Sequence, residues 1–374
     1  MKILINISNN LGGGGLQVAL SFLKEIESYT EHFFFVCYGD SVKHQLKQSA
    51  KPHINYYEVK TKPLLLLSKK LKEIEKSVKP DVVFSVFGPT YWNPQAPHIM
   101  GFAIPHYLYI DSPFFKRINK FEIIKITIKK ILHRYIVNRD ADAIICETED
   151  AMERSRMLFN RVKSFFTVSN TYSHLYELPI ECEKFLPEKK KFRFVTISKY
   201  YSHKNLEIIS PVLKELSNRN ITNVEFILTI DKDDYDRLFS EDDKKNVISV
   251  GPVKVDYCPA LYSECDFMFL PTLLECFSAN YPEAMKMEKP ILTSDLSFAR
   301  GVCKNSALYF DPLDPVDIAD KIEMIINTPE LAEELVANGK ERLLSFPTAS
   351  ERAKHYLEII ETIHKNQEKS HVQK

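Results

Sequence analysis

Several things are scarce in this sequence, and each scarcity removes a class of function. There is no excess of either charge: 50 Lys and Arg balance 50 Asp and Glu over 374 residues, so the overall field gives no reason to expect a nucleic acid partner. The seven cysteines, at 37, 146, 182, 258, 265, 276 and 303, are odd in number and include no CxxC pair. That scatter speaks against a disulfide framework or a zinc site and fits reduced thiols. No HExxH and no Cys/His array supplies metal ligands, so no metal and no cofactor is expected. Long apolar runs are missing too, since "PLLLL" falls far below the roughly 18 residues needed to span a bilayer. The opening "MKILINISNN" turns polar after six residues and lacks the apolar stretch of a signal peptide, which places the expected site of action on the cytoplasmic side.

What is present is alternation. Strand-like runs "KILINI", "FFFVCY", "DVVFSVF", "HIMGFAI", "ADAIICE" and "FFTVSN" are separated by helical patterns, among them a helix from Leu16 and one around Leu64 to Val78. Such βαβ repetition predicts an α/β chain with a doubly wound parallel sheet. Periodicity is lost over 173–190, where Pro179 and Pro187 stand among charges, and this stretch reads as an interdomain linker. A second series then runs through "FRFVTIS", "VEFILTI", "VISVG", "DFMFLPT", "PILTSD" and "ALYFD", ending in a long helix from Pro315. The length suits two domains of about 150 to 190 residues each: 1–172 and 191–345. An amphipathic helix in 346–374 is expected to return to the first domain before a polar tail. Two such Rossmann-like halves are expected to face a central cleft that meets the C-terminal ends of both sheets.

Four glycines, Gly12 to Gly15, follow the first strand. The spacing is wrong for a dinucleotide fingerprint, because GxGxxG from Gly12 or Gly13 needs glycine where Gln17 or Val18 stands, and no GK[ST] follows for a P-loop. A tight or flexible turn explains the run equally well. In "PTLLECFSANYPEAMKMEKP", Glu275 follows a strand and Glu283 lies in the first turn of the next helix, both at the ligand edge of the sheet. A helix starting at 278–281 aims free N–H groups at the same place, favouring a diphosphate. The plain alternative is a capping box, with Asn280 as cap and Glu283 three residues on. In "TISKYYSHKNLE", Lys199 and Lys204 emerge at the corresponding edge, where a cation can stabilise a diphosphate leaving group; exposed lysines without a role are the alternative. His106, and less so His98, follow a strand of the first domain, with Asp111 nearby.

The E-x7-E spacing, the downstream "KPILTSDLSFAR" and the closing "ALYFDPLDP" resemble the retaining glycosyltransferases of family 4, which have the GT-B fold. That resemblance implies that Glu275 lies at the donor sugar and Glu283 at the ribose. It also implies that the backbone N–H groups of Phe277, Ser278, Ala279 and Asn280 meet the donor, that Lys199 and Lys204 hold the diphosphate, and that His106 lies beside the acceptor. Gly13, Gly14 and Gly15 become an acceptor-side loop that approaches the phosphate when the domains close. Two departures stand out: "CFSAN" replaces the usual Gly-Phe-Gly, and Lys199 stands where relatives carry Arg, a point charge instead of a fork. The implied activity is metal-independent transfer, with retention, of a sugar from a UDP- or GDP-sugar to a glycan acceptor. The acceptor expected is a polyprenyl-diphosphate-linked saccharide of bacterial surface polysaccharide. The other readings are a GT-B epimerase or phosphorylase, or a noncatalytic nucleotide-sugar-binding subunit.

Finally, residues 116–139 hold eight Lys or Arg and one acid, Glu122. Phe121, Ile124, Ile128, Ile131 and Tyr135 form a stripe at helical spacing, with Lys125, Lys129, Lys130 and Arg134 beside it. Either the stripe packs on the core, leaving a solvated basic face, or the helix lies on an anionic membrane surface, where each basic group contributes about 1 kcal/mol.

Overall fold

A computed structural model describes residues 1–9, 13–180 and 184–372; Gly12, Cys182 and residues 181–183 of the expected linker lie outside the described residues. Contacts divide the chain into two units, the first made of Met1–Ile110, Ile118–Asn170 and Pro347–Lys374, the second of Asp111–Arg117 and Thr171–Phe346. The expected first domain ran without interruption to 172, whereas the short segment Asp111–Arg117 clusters with the second unit.

The first unit is built on β1 (Lys2–Asn6), β2 (Phe33–Gly39), β3 (Ile54–Val59), β4 (Val82–Ser85), β5 (His98–Gly101), β6 (Ala143–Cys146) and β7 (Ser164–Thr167). They form one parallel sheet in the order β3-β2-β1-β4-β5-β6-β7. The central strands read as continuous apolar runs because both faces are covered. Ile3 and Ile5 of β1 pack with Phe22 of the helix Gly13–Glu25 and with Tyr356 and Ile360 of the helix Ala349–Val372. Leu4 points the other way, toward Leu67, Leu71 and Ile74 of the helix Leu64–Val78 and toward Trp92. Phe22, Phe84 and Tyr356 meet as a ring trio with centroids 5.3 to 5.5 Å apart, each ring contributing roughly 2 to 3 kcal/mol by burial. Arg352 fixes the C-terminal helix to the same unit by donating to Asn170 and to Ser21 Oγ, the latter at 2.8 Å.

The second unit contains β8 (Phe192–Thr196), β9 (Val224–Leu228), β10 (Val247–Ser249), β11 (Phe267–Leu270), β12 (Ile291–Ser294) and β13 (Ala307–Phe310), parallel in the order β10-β9-β8-β11-β12-β13. Phe194, Phe226, Phe269 and Phe310 form an aromatic row across four of these strands, with successive centroids 5.2 to 5.7 Å apart. At the opposite end of β8, the buried Arg193 pairs with Glu225 at 2.7 Å and also donates to the carbonyls of Pro187 and Glu264. The burial of that charge is thereby offset by an acceptor on each of its three nitrogens.

Several elements differ from expectation. Gly13 to Gly15 form the first turn of their helix instead of a loop. The edge strand β3 and the helix Lys232–Leu238 lack a clear apolar period, so the sequence pattern gives no sign of them. The long helix from Pro315 is two, Pro315–Asn327 and Pro329–Leu343, because Pro329 cannot continue the hydrogen-bond ladder and restarts it instead.

Candidate active site

Both sheets follow the 3-2-1-4-5-6 order, which reverses direction beside the first strand of each unit and opens a crevice at the C-terminal strand ends there. In the second unit that point lies between β8 and β11. The chain leaving β8 makes a tight turn, Ser202–Lys204, followed by Asn205 at φ +58, a conformation Asn tolerates better than most residues. The Asn205 amide donates to the carbonyls of Pro271 at 3.1 Å and Pro312 at 2.8 Å, while the Leu273 N–H donates to the His203 carbonyl at 2.7 Å. The turn after β8 is thus stitched to the loop after β11. Across that seam the Lys204 ammonium pairs with Glu275 Oε1, and the Thr272 hydroxyl donates to the same oxygen at 3.3 Å. The two charged side chains are only 11% and 13% exposed, so an anion arriving there meets an ordered cation in a partly desolvated setting.

The segment Asp111–Arg117 supports this seam. The Ser112 hydroxyl donates to the Leu273 carbonyl at 2.6 Å, Arg117 donates to Asn205 and pairs with Glu207 at 3.0 Å, and the Phe114 ring meets His203 edge-on. The sequence alone does not mark Ser112, Arg117, His203, Asn205 or Thr272 as site residues. Their roles depend on contacts across 60 to 160 positions of chain, for which the only local hint was the exposed-looking "SHKN" turn.

The helix Asn280–Lys286 begins with Ala279 as its cap and no side-chain capping bond. The capping-box expectation is therefore corrected: the Asn280 amide donates instead to the Ile197 carbonyl at 3.0 Å, tying the helix start to the turn after β8. Phe277, Ser278 and Ala279 form the approach to this helix, with Ser278 buried and the Phe277 ring against Phe346. Glu283 has separate surroundings from Glu275. It lies among Tyr176, Tyr262 and Cys258, and burial pushes its carboxyl up to about 7. The Tyr176 hydroxyl opposes that rise, although it makes no hydrogen bond of ordinary geometry among the described residues. Lys199 is exposed in the loop between β8 and the turn that holds Lys204. A groove of about 450 Å³ lined by Asp266, Phe267, Pro290, Ala332, Val336 and Lys340 sits at the other edge of this sheet, apart from the residues just described.

In the first unit the reversal lies between β1 and β4. Ser8 Oγ donates to Asn6 Oδ1 at 2.7 Å, Asn6 donates to Ser85 Oγ at 3.3 Å, and Ser85 Oγ meets His98 Nε2 at 2.8 Å. His98 Nδ1 faces the Asp140 carbonyl at 2.8 Å; a carbonyl only accepts, so the proton sits on Nδ1 and Nε2 accepts from Ser85. Burial lowers the His98 pKa to about 4. His98 is thereby a neutral, buried residue with both ring nitrogens engaged. Gly13 has φ +64, which suits glycine. A Cβ on Gly14 would meet nothing within 4 Å, whereas one on Gly15 would lie 3.3 Å from the Phe87 ring. His106 is half-buried in the short helix Pro105–Leu108, just past β5. Its neighbour Tyr107 shares the His133 ring with Tyr91, at 3.0 and 2.6 Å, which fastens the helix Lys120–Asp140 to this edge. Burial and Lys129 both lower the His133 pKa, favouring the neutral ring that can donate to one tyrosine and accept from the other.

Residues 180–342, within the second unit, match the Glycosyl transferases group 1 family. Among solved structures, HepE from Anabaena in complex with UDP and glucose superposes with a TM-score of 0.69 at 15% identity, covering 97% of this chain and 100% of that one. Sucrose-phosphate synthase from Thermosynechococcus elongatus gives 0.73 at 14%, covering 97% and 99%. The UDP-forming α,α-trehalose-phosphate synthase from Burkholderia vietnamiensis gives 0.71 at 10%, covering 96% and 99%. No curated protein sequence matches significantly. The fold is that of the GT-B glycosyltransferase structures, two Rossmann-like parallel-sheet units, and the family match falls within the second. Among the described residues no helix is long and apolar enough to cross a membrane.

Proposed function

We propose that this protein is a retaining glycosyltransferase of the family 4 type, moving a sugar from a UDP-sugar to a hydroxyl of a lipid-linked glycan at the inner face of the cytoplasmic membrane. The observation that carries the reading is the Lys204–Glu275 pair at the strand-order reversal of a glycosyltransferase group 1 domain. UDP is favoured over GDP because HepE was solved with UDP and with UDP-glucose. Lys204, with three N–H donors, keeps one on Glu275 and turns the others to the β-phosphate, and Lys199 swings in from solvent to share the charge that develops as the glycosidic bond breaks. Glu275 orients the sugar hydroxyls and Glu283 takes the ribose, for which its ionised form is the stronger acceptor. Departure of the phosphate and attack of the acceptor occur on one face of the sugar, the phosphate taking the acceptor's proton, which preserves the anomeric configuration. The charge compensation needs no bound metal, so turnover persists in chelator. Acceptor recognition falls to Gly13, Gly14, Gly15 and His106 of the first unit, and the product is bacterial surface polysaccharide.

The experiment is a panel of nucleotide sugars tested for thermal stabilisation and slow hydrolysis. One or more UDP-sugars should raise Tm in proportion to RT ln(1 + [L]/Kd), about 2.7 kcal/mol at a hundredfold excess over Kd. A panel in which no nucleotide sugar stabilises the chain overturns the assignment.

A further inference from the structure

The helix Lys120–Asp140 carries a second apolar face that its own unit leaves uncovered. Phe121, Ile124, Ile128, Ile131, Leu132 and Tyr135 are 64, 54, 61, 66, 51 and 61% exposed. At about 100° per residue these six side chains fall within an arc of about 100°. Lys125 borders the arc on one side, Lys120 and Arg134 on the other. The inward face is a different set: Ile136 and Val137 are buried, and His133 is held by its two tyrosines. Of the two readings of the stripe, packing on the core is the one these exposures exclude, and the helix is apolar on two sides.

Length and orientation together give the exposure. Asn119 caps the helix by accepting from the Glu122 N–H at 2.9 Å, and its 21 residues run about 30 Å. The four-residue strand β6 that follows spans only about 13 Å, so the N-terminal half of the helix reaches past the strand, while Ile131, Leu132 and Tyr135 of the other half are exposed because they lie on the side away from the buried Val137. A second segment adds to this edge. The helix Leu64–Val78 starts with Leu64, Leu65 and Leu66 exposed by 46, 84 and 54%, between the exposed Lys60 and Lys62 on one side and Lys69 and Lys70 on the other. Both crossovers, β3 to β4 and β5 to β6, proceed in the same direction along the sheet. Right-handed connections therefore put both helices on one face, with their starts at the same edge.

Exposed apolar area of this extent, bordered by cations, calls for a partner. Two-fold pairing with another copy sets the basic borders of the helix against themselves, and Glu122, the acid nearest the arc, is already paired with Lys125 at 2.7 Å. An anionic bilayer surface satisfies both features: the aliphatic and aromatic groups sink to the acyl boundary, while the lysine and arginine heads stay among the phosphates. We propose that the Phe121–Tyr135 face, assisted by Leu64–Leu66, docks the first unit in the plane of an anionic lipid surface. This does not rest on the sugar-transfer reading, because lipid binding is measured without donor.

The test is co-sedimentation of the full chain with vesicles of phosphatidylcholine alone or mixed with phosphatidylglycerol. The wild type should bind the mixed vesicles at least about tenfold better than neutral ones, with the advantage falling as salt is raised. The Ile128→Asp/Ile131→Asp variant should lose more than about tenfold of that binding. Lys125→Glu/Lys129→Glu/Arg134→Glu should remove the preference for anionic lipid, and Leu65→Asp should weaken binding a few-fold. Melting temperatures equal to wild type keep a folding defect apart from a binding defect. Wild-type binding no better on anionic vesicles, or binding unchanged in Ile128→Asp/Ile131→Asp, overturns the proposal. It also falls if the wild type is a dimer that this variant splits while binding no vesicles, for then the face joins two copies of the chain.

Discussion

The two units share one strand order and yet place opposite chemistry at the point where that order reverses. Among the described residues beside β1 and β4, the first unit offers a glycine helix start and a hydrogen-bonded chain of neutral groups, Ser8, Asn6, Ser85 and His98. Beside β8 and β11 the second unit offers a paired lysine and glutamate, held by amide and carbonyl contacts through Asn205, Thr272 and Asn280. Topology therefore fixes where a ligand can sit, and the side chains at that place decide what it can be. On the proposed function, the charged edge takes the diphosphate and the neutral edge the polyhydroxylated acceptor.

The sharpest way to break this contrast is to remove its charge. Lys204→Ala should lower kcat/KM for transfer or donor hydrolysis by on the order of 10²- to 10³-fold, the usual cost of losing a preorganised charge at a developing anion. Glu275→Gln should fall comparably, and the double variant should lose far less than the product of the two, because each single change also strips the other of its partner. Retained turnover in Lys204→Ala, measured on protein with wild-type Tm, would remove the second unit's edge from the chemistry.

The contrast extends to pH. Burial lowers the His98 pKa from 6.5 to about 4 in the first unit and raises that of Glu283 from 4.5 to about 7 in the second. For His98 the unfolded chain binds the extra proton below pH 6.5, so its contribution is complete above 6.5 and disappears as pH falls toward 4, by up to about 3 kcal/mol. For Glu283 the folded chain binds the extra proton, so its contribution is complete below 4.5 and is lost as pH rises through 7. That loss is nearer about 1 kcal/mol, because the carboxylate keeps some solvent. Urea titrations at pH 5 and 8 should show Glu283→Gln gaining stability relative to wild type at the higher pH only. An equal difference at both would mean that Glu283 titrates normally.

How legible was this in the sequence? The strands were, wherever both faces are covered, because burial on two sides writes continuous runs such as "KILIN" and "FMFL". The positions of Lys204 and Glu275 beyond strand ends followed from the same alternation. Their mutual pairing did not, since it depends on Asn205 and Ser112, residues whose partners lie far along the chain. The helix Lys120–Asp140 was legible as a helix but not in its orientation. With Ile136 and Val137 on one side and Phe121, Ile128 and Ile131 on another, periodicity alone gives no sign of which apolar face turns inward.

The mildest perturbation tests the neutral edge itself. Gly13 adopts φ +64, and Gly13→Ala should cost about 1 kcal/mol of stability through backbone strain. Gly14 has no such reason to be glycine: its φ is ordinary for a helix start, and an added Cβ meets nothing of the protein within 4 Å. Alanine there should leave Tm unchanged or raise it slightly, because glycine is the poorer helix former by about 1 kcal/mol. If the open space beside Gly14 is where a substrate approaches the backbone, Gly14→Ala should nonetheless lower kcat/KM about tenfold, a cost of about 1.4 kcal/mol. Stability and activity would then move in opposite directions at one methyl group. Unchanged kinetics with a raised Tm would instead make the glycine run a matter of chain geometry, and leave the charged edge of the second unit as the part of the molecule that meets substrate.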